Sequence, residues 1–375
     1  MGDFIISDLC VMSVLFDQEK LEFRAEEHKI PQFKVKQIFF ELFKNQHIER
    51  NEMTTLSNQL KDELKSDFFP ISLKCKETVE AETTTKFAFQ TLDGYTIESI
   101  IMYHWQDEKY VKNGKKKLNR ITLCISSQIG CPVNCLFCVT WKLWFTRNLA
   151  WDEIISQILY ANAYIFKRFG KKEDWTHWWV RNVVFMWMWE PLLNYDEVKK
   201  SVEIMLQQDR FSLWRRHVTI STSGIIPWIE RMIEDKLDVK LAVSLHAPNQ
   251  ALRENIMPIA RRYQLDELMK VIDKYVESTG NRIFYEYIMI EWITDKPELA
   301  DELVELLKDR LSHVNLIPYN ANPVIDLKES SGKSIQNFKR ILEKGWVTVT
   351  VRESMWREAK WACGQLGYER VESNQ

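Results

Sequence analysis

At 375 residues, 45% of them hydrophobic, the chain can bury one large core and a smaller accessory unit. A formal charge of -2 excludes a generally basic nucleic-acid binder, so any contact with a polyanion must come from local patches. There is no run of 18 apolar residues and no charged-then-apolar leader, which points to a cytoplasmic protein without a membrane span.

In chain order, residues 21–69 are helical in pattern. Phe33, Ile38, Phe39, Leu42 and Phe43 recur at helical spacing, as do Leu56, Leu60 and Leu64. From Phe87 to Met102 the apolar residues alternate around Asp93 and Gly94, as in a hairpin. A basic run follows, with Lys112, Lys115, Lys116, Lys117 and Arg120, which reads either as a solvated loop or as an RNA contact. Beyond it, β-branched runs at 121–126, 182–186, 218–222, 239–245, 283–289, 314–317 and 347–351 alternate with stretches long enough for crossover helices, among them 151–169, 195–207, 265–278 and 297–309. This alternation predicts an α/β fold with a parallel sheet, open or curled into a full or partial barrel. The chemistry of such sheets sits past the C-terminal ends of the strands. We divide the chain into a helical accessory unit with its hairpin, 1–95, and a catalytic domain, 96–370.

Seven cysteines in a long chain of this kind favour metal or redox chemistry over a disulfide framework. Cys10 and Cys75 are isolated and read as packed thiols. Cys131, Cys135 and Cys138 stand at C-x3-C-x2-C spacing straight after a predicted strand. Three thiolates on one loop can hold three irons of a 4Fe-4S cluster and leave the fourth open to a chelating ligand. A zinc site would want a fourth ligand at matching spacing, and no nearby His or Cys pair supplies one.

The loop is the signature of the radical-SAM superfamily, and its surroundings narrow the resemblance. Residues 122–130, Glu190-Pro-Leu-Leu-Asn-Tyr195, Ser221-Thr-Ser-Gly224, Ser244-Leu-His-Ala-Pro248, Ile317-Pro-Tyr-Asn320 and Ala362-Cys-Gly-Gln-Leu366 together resemble the RlmN dual-specificity 23S rRNA and tRNA adenine-C2 methyltransferases. The resemblance implies a partial parallel (β/α)6 radical-SAM barrel with a small N-terminal helical domain. It implies Cys131, Cys135 and Cys138 as cluster ligands, with Phe137 near the adenine of SAM. Trp189, Glu190, Ser221, Ser244, Leu245, His246 and Asn320 would bind SAM. Cys363 would carry a methyl group, Cys124 would resolve the covalent intermediate by forming a disulfide, and Glu98 would accept a proton. By its own sequence context Glu98 reads equally well as an exposed strand carboxylate. Two SAM molecules per turnover, 23S rRNA and tRNA as substrates, a flavodoxin-type electron donor and a monomer are further implications. The related carbon 8 activity of Cfr-like enzymes uses the same cysteines; an inactive RNA-binding homologue is the reading from a different class.

Where the family has glycine, this chain has Trp141, Trp144, Trp187, Trp189, Trp214, Trp228, Trp292, Trp346 and Trp356. Overpacking costs about 1–3 kcal/mol per site, and loss of a positive-φ glycine adds to it. An average chain of this length carries about 26 glycines, close to the 11 Gly and 15 Trp combined. The pattern points to a UGA codon read as glycine by the host and written here as Trp.

Overall fold

A computed structural model describes residues 26, 30–58, 61, 71–106, 118–139, 144–170, 179–186, 190–322 and 324–352. The first described helix, α1 (Gln32–Phe43), buries Val35, Ile38, Phe39, Leu42 and Phe43, one stripe at helical spacing. That stripe docks on the catalytic domain: Phe43 meets Phe211 edge-on with centroids 4.9 Å apart, and the buried Arg210 guanidinium lies 3.5 Å from the Phe39 ring centre. Phe33, expected in the core, is instead exposed, because it falls off the stripe. Leu56 is buried, while Leu60 and Leu64 lie outside the described residues.

Strands β1 (Lys74–Glu80), β2 (Thr84–Gln90), β3 (Thr96–Trp105) and β4 (Leu118–Cys124) run antiparallel to one another in sequence. The hairpin expected around Asp93 and Gly94 is the β2–β3 turn, where Gly94 takes φ 87°. These strands belong to the main sheet, so the expected boundary at residue 95 falls between two hydrogen-bonded neighbours. A short ladder, β5 (Gln128–Ile129) with β6 (Arg147–Asn148), follows.

From β4 onward the sheet is parallel, through β7 (Asn182–Phe185), β8 (Val218–Thr222), β9 (Lys240–Ser244), β10 (Ile283–Met289), β11 (Ser312–Pro318) and β12 (Val349–Val351). The crossovers are α2 (Trp151–Phe169), α3 (Tyr195–Leu206), α4 (Ile226–Glu234), α5 (Gln250–Ile256) with α6 (Leu265–Thr279), α7 (Pro297–Leu307) and α8 (Gly332–Lys344). Six strand–helix steps thus lead from β4 to β12, as a (β/α)6 fold requires. The ten strands lie in the order β1-β2-β3-β4-β7-β8-β9-β10-β11-β12, so the sheet stays open. Alternation assigns its two faces. Ile97, Ile101, Ile121 and Leu123 pack with Ile154, Ile155 and Ile158 of α2 in the outer core. The residues between them, Glu98, Ile100, Met102, Thr122 and Cys124, point to the opposite, inner face.

Two tryptophans occupy left-handed backbone: Trp292 at φ 63° and Trp346 at φ 62°. They are 76% and 96% exposed, so packing returns little for the strain. Trp346 stands just past α8, where the Val347 amide donates to the Leu342 carbonyl and the chain turns as in a Schellman cap, a place glycine ordinarily fills. Trp228 differs: its ring stacks on Tyr195 at 5.2 Å and 19° and packs against the core. Trp346→Gly is therefore expected to raise the unfolding free energy by about 1 kcal/mol in denaturant titrations, with Trp292→Gly moving the same way, whereas Trp228→Gly lowers it. A drop in stability for Trp346→Gly would count against strain at this cap.

Candidate active site

The cysteine loop leaves β4 at the C-terminal end of the strand, and buried side chains fix its path. Gln157 of α2 accepts from the Ser126 amide at 2.9 Å, donates to the Ser126 carbonyl at 3.0 Å, and accepts from the Ser99 hydroxyl at 2.7 Å. Asn194 donates to the carbonyls of Ser127 and Leu149, both at 2.8 Å. In the loop itself, Asn134 takes φ 57° and the Cys138 amide donates to the Cys135 carbonyl at 3.1 Å, the turn that gathers the three thiols.

Those thiols open onto a cavity of about 170 Å³ whose walls also include Phe137, Glu190, Ser221, Ser244, His246 and Asn320. These residues come from the ends of β4, β7, β8, β9 and β11, so the parallel sheet has delivered residues far apart in sequence to one place. Leu245 does not line the cavity: its side chain lies in the core, and its amide donates to the Glu286 carbonyl at 3.1 Å. Any part it plays is through its backbone. Trp189 and Cys363 lie outside the described residues, as do Lys112, Lys115, Lys116 and Lys117.

Glu190 is fully buried, and burial raises its pKa. Its carboxylate accepts from the Leu192 amide at 3.1 Å and the Ser223 amide at 2.5 Å, which partly offset the desolvation. Its own amide donates to Gln128 at 3.1 Å. Gly224, at φ 98°, turns the chain so that Ser223 can offer its amide to Glu190 and its carbonyl to Arg253 at 2.6 Å. Arg253 is completely buried and also donates toward the carbonyls of Leu245 and Ser244 at 3.3 and 3.4 Å. The strand ends of β8 and β9 are thereby tied under the cavity.

His246 takes φ 57° in the turn after β9. Burial, reinforced by the Arg253 charge, depresses its pKa to about 3, so the ring is neutral at working pH. Its Nδ1 accepts from the Ile288 amide at 3.1 Å, which leaves the proton on Nε2 as a donor. Phe137 packs edge-on against the ring, centroids 4.8 Å apart.

Burial pushes Cys131 up to about 12, with the Cys138 thiol adding to the shift, and pushes Cys135 well above its usual range for the same two kinds of reason. Two thiols that resist ionisation, with a third beside them, are suited to a cationic centre, whose coordination deprotonates thiols outright. Among the described residues no three Cys, His, Asp or Glu groups meet closely enough to hold one metal ion. The thiols instead face a shared cavity, a placement that suits one iron to each. The donor set fits a 4Fe-4S cluster.

Cys124, the last residue of β4, is buried and pairs with Ile100 of β3. Glu98 lies two residues before Ile100, so Glu98 and Cys124 share the inner face. Glu98 is buried, not exposed, and its carboxylate meets the equally buried Lys86 ammonium at 3.5 Å. Three neighbours of the cavity gave little sequence signal. Glu286 and Arg352 line it, and Arg253 braces its floor. A carboxylate inside the apolar run Ile283–Met289 was the one visible sign. Cys75 is half-buried on β1, away from the cavity, with its thiol donating to the Glu77 carbonyl at 3.3 Å.

The radical SAM superfamily pattern matches residues 125–303. A probable dual-specificity RNA methyltransferase RlmN of Clostridium novyi is 35% identical over 96% of this chain and 98% of its own length. The counterpart of Dictyoglomus turgidum is 38% identical over 90% of both chains. A radical SAM methyltransferase from Sphaerobacter thermophilus, known from its crystal structure, superposes with a TM-score of 0.85 at 33% identity, over 94% of this chain and 98% of that one. With the three-cysteine loop, the open parallel sheet and full-length similarity in agreement, the chain belongs to the RlmN family of radical-SAM RNA methyltransferases.

Proposed function

We propose that the chain methylates carbon 2 of an adenine in 23S rRNA and in tRNA, by way of a methylated Cys363. The observation that carries this reading is the pairing of Glu98 and Cys124 on one inner face of adjacent strands, both buried and both outside the cysteine loop. A plain SAM-binding site would need neither.

Carbon 2 lies between two ring nitrogens and is not nucleophilic, so direct attack on the methyl of SAM is closed to it. A 4Fe-4S cluster on Cys131, Cys135 and Cys138, with one iron left to SAM, supplies the reductive radical chemistry that opens another route. Glu190, Ser221, Ser244, His246, Asn320 and the Leu245 backbone hold SAM, with His246 as a neutral N–H donor; Trp189 or the residue in its place completes the set. Cys363 carries the methyl-derived carbon to the base. Glu98, kept beside Lys86, takes the ring proton as general base. The Cys124 thiolate then attacks the sulfur of Cys363, the sulfur–carbon bond breaks with its electron pair on the bridging carbon, that carbon takes up a proton to become the methyl of the released base, and a Cys124–Cys363 disulfide forms. Two SAM molecules and a flavodoxin-type electron donor complete a turnover by a cytoplasmic monomer.

Two measurements check this reading. Cys363→Ala should retain the iron chromophore but form no RNA adduct, while Cys124→Ala should stall with RNA covalently attached. On denaturing gels the stalled species is a nuclease-sensitive slow band, absent from the double variant; a folded, iron-loaded Cys124→Ala protein without that band removes Cys124 from the mechanism. The second concerns His246. Its folded pKa, about 3, lies below the usual value of 6.5, so the unfolded chain binds the proton more readily. The neutral ring's stabilising contribution is complete above pH 6.5 and lost as pH falls toward 3, at roughly 1 kcal/mol per pH unit. Unfolding titrations should show that slope in the parent and a shallower one in His246→Asn; equal slopes would place the imidazole in water.

A further inference from the structure

The sheet's other end holds a second cavity, of about 270 Å³, that none of the assigned roles uses. His104, Arg120, Arg216, His217, Lys240 and Arg352 line it, with Glu286 as the one carboxylate among the described lining residues. Strand direction puts these basic residues together: Arg120 is early in β4, His217 immediately precedes β8, Lys240 begins β9, and His104 is near the end of antiparallel β3. Each is therefore at the end of the barrel away from the cysteine loop. Burial and nearby arginines lower the pKa of both histidines, so the rings are neutral hydrogen-bonding groups and the charge is carried by the arginines and the lysine.

Arg120, Arg216 and Lys240 crowd this end without matching carboxylates among the described residues. The Arg120 guanidinium is 3.4 Å from the His104 ring, Arg216 lies over the Trp214 ring at 4.8 Å, and Lys240 lies 5.7 Å from the Phe284 ring centre. Among the described residues none of these three basic groups makes an ion pair; nearby Asp238 is engaged by Arg215 at 3.8 Å. Burial and then the neighbouring Arg120 and Arg216 lower the Lys240 pKa, in keeping with this crowding. Concentrated, uncompensated positive charge in a concave site is suited to a polyanion.

The two cavities adjoin. Met186, Glu286 and Arg352 line both. The inner face of β3 runs from Glu98 through Met102 to His104, six residues of extended chain or roughly 20 Å. That exceeds the reach from a base to its own phosphate, so the cations are placed for neighbouring phosphates of the strand that presents the base. We propose that the N-terminal end of the barrel lumen, through Arg120, Arg216, His217 and Lys240, binds the backbone phosphates flanking the flipped adenosine. The proposal rests on the RNA-methylation reading and assigns it a substrate-docking end. An acidic electron-donor protein is the competing occupant of a basic surface, but electrons must reach the cysteine loop, which lies at the opposite strand ends.

The test uses SAM-loaded, iron-loaded protein and a fluorescent RNA stem-loop with one unpaired adenine, titrated across a potassium chloride series. Arg216→Ala/Lys240→Ala should weaken binding roughly tenfold and flatten the log Kd against log salt slope by about 1.4, the loss of two single-strand phosphate contacts. Arg216→Lys/Lys240→Arg should keep the parent slope. Arg216 is exposed, so Arg216→Glu gives a second variant in which the fold is not at stake. Parent-like affinity and slope in both charge-removing variants overturns the site while leaving the methylation reading intact. Intact RNA binding with lost binding of a flavodoxin-type protein overturns it in favour of the electron donor. A parent protein that binds no RNA at any salt concentration overturns the substrate reading and this proposal together.

Discussion

One residue, Ser223, joins the two buried charges on which the active site depends. Its amide donates to Glu190 at 2.5 Å and its carbonyl accepts from Arg253 at 2.6 Å. Neither charge could lie so deep alone, since an uncompensated buried ion costs several kcal/mol. Here the two peptide units on either side of the Ser223 Cα are used, one turning its N–H to the carboxylate and the other its C=O to the guanidinium. Because Glu190 follows β7, Ser223 follows β8, and Arg253 also reaches the carbonyls of Ser244 and Leu245 after β9, the brace sets the relative positions of three strand ends. This brace underlies the side of the cavity where SAM binding is proposed.

The same brace explains the electrostatics beside the cysteines. Arg253 is close enough to Cys135 to favour its thiolate, while Glu190 opposes ionisation of Cys131 and Cys135. Burial dominates both effects, so the apo loop favours neutral thiols. Cluster insertion therefore supplies the charge that the protein alone does not, and assembly of the site is linked to metal loading.

Much of this was legible in the sequence because strands buried on both faces are continuous apolar runs, and all seven predicted runs are strands. Trp151–Phe169 was bounded correctly because its apolar stripe is long. Helix α8 was not foreseen: only Ile335, Phe338 and Leu342 are buried, too few to stand out from a polar stretch. Strand β1 escaped notice for a different reason. It is an edge strand whose residues are mostly exposed, so no alternation marks it. At the site, the cysteine spacing was local and visible, but Arg253 and Gln157 act through backbone groups distant in sequence, and nothing in their own neighbourhoods announces that. Phe33 shows the converse failure, an aromatic residue near a helical stripe but off its axis.

The barrel's two ends carry opposite chemistry, and strand direction is the cause. Loops after the C-terminal ends hold thiols and Glu190; the N-terminal ends collect Arg120, His217 and Lys240. Glu286 stands where these regions meet, buried, with one oxygen held by Asn315 at 2.8 Å and the other without a hydrogen-bond partner among the described residues. Burial raises its pKa, and the Arg352 charge opposes that rise. Among the described residues Glu286 is the one carboxyl group common to the two cavities, between the basic residues of the lower one and the cysteines of the upper one. On the function and docking end proposed above, a polyanion would be drawn to the lower end and not onto the cysteine loop, and a detached base, rather than its phosphates, would be presented to Glu98 and Cys124.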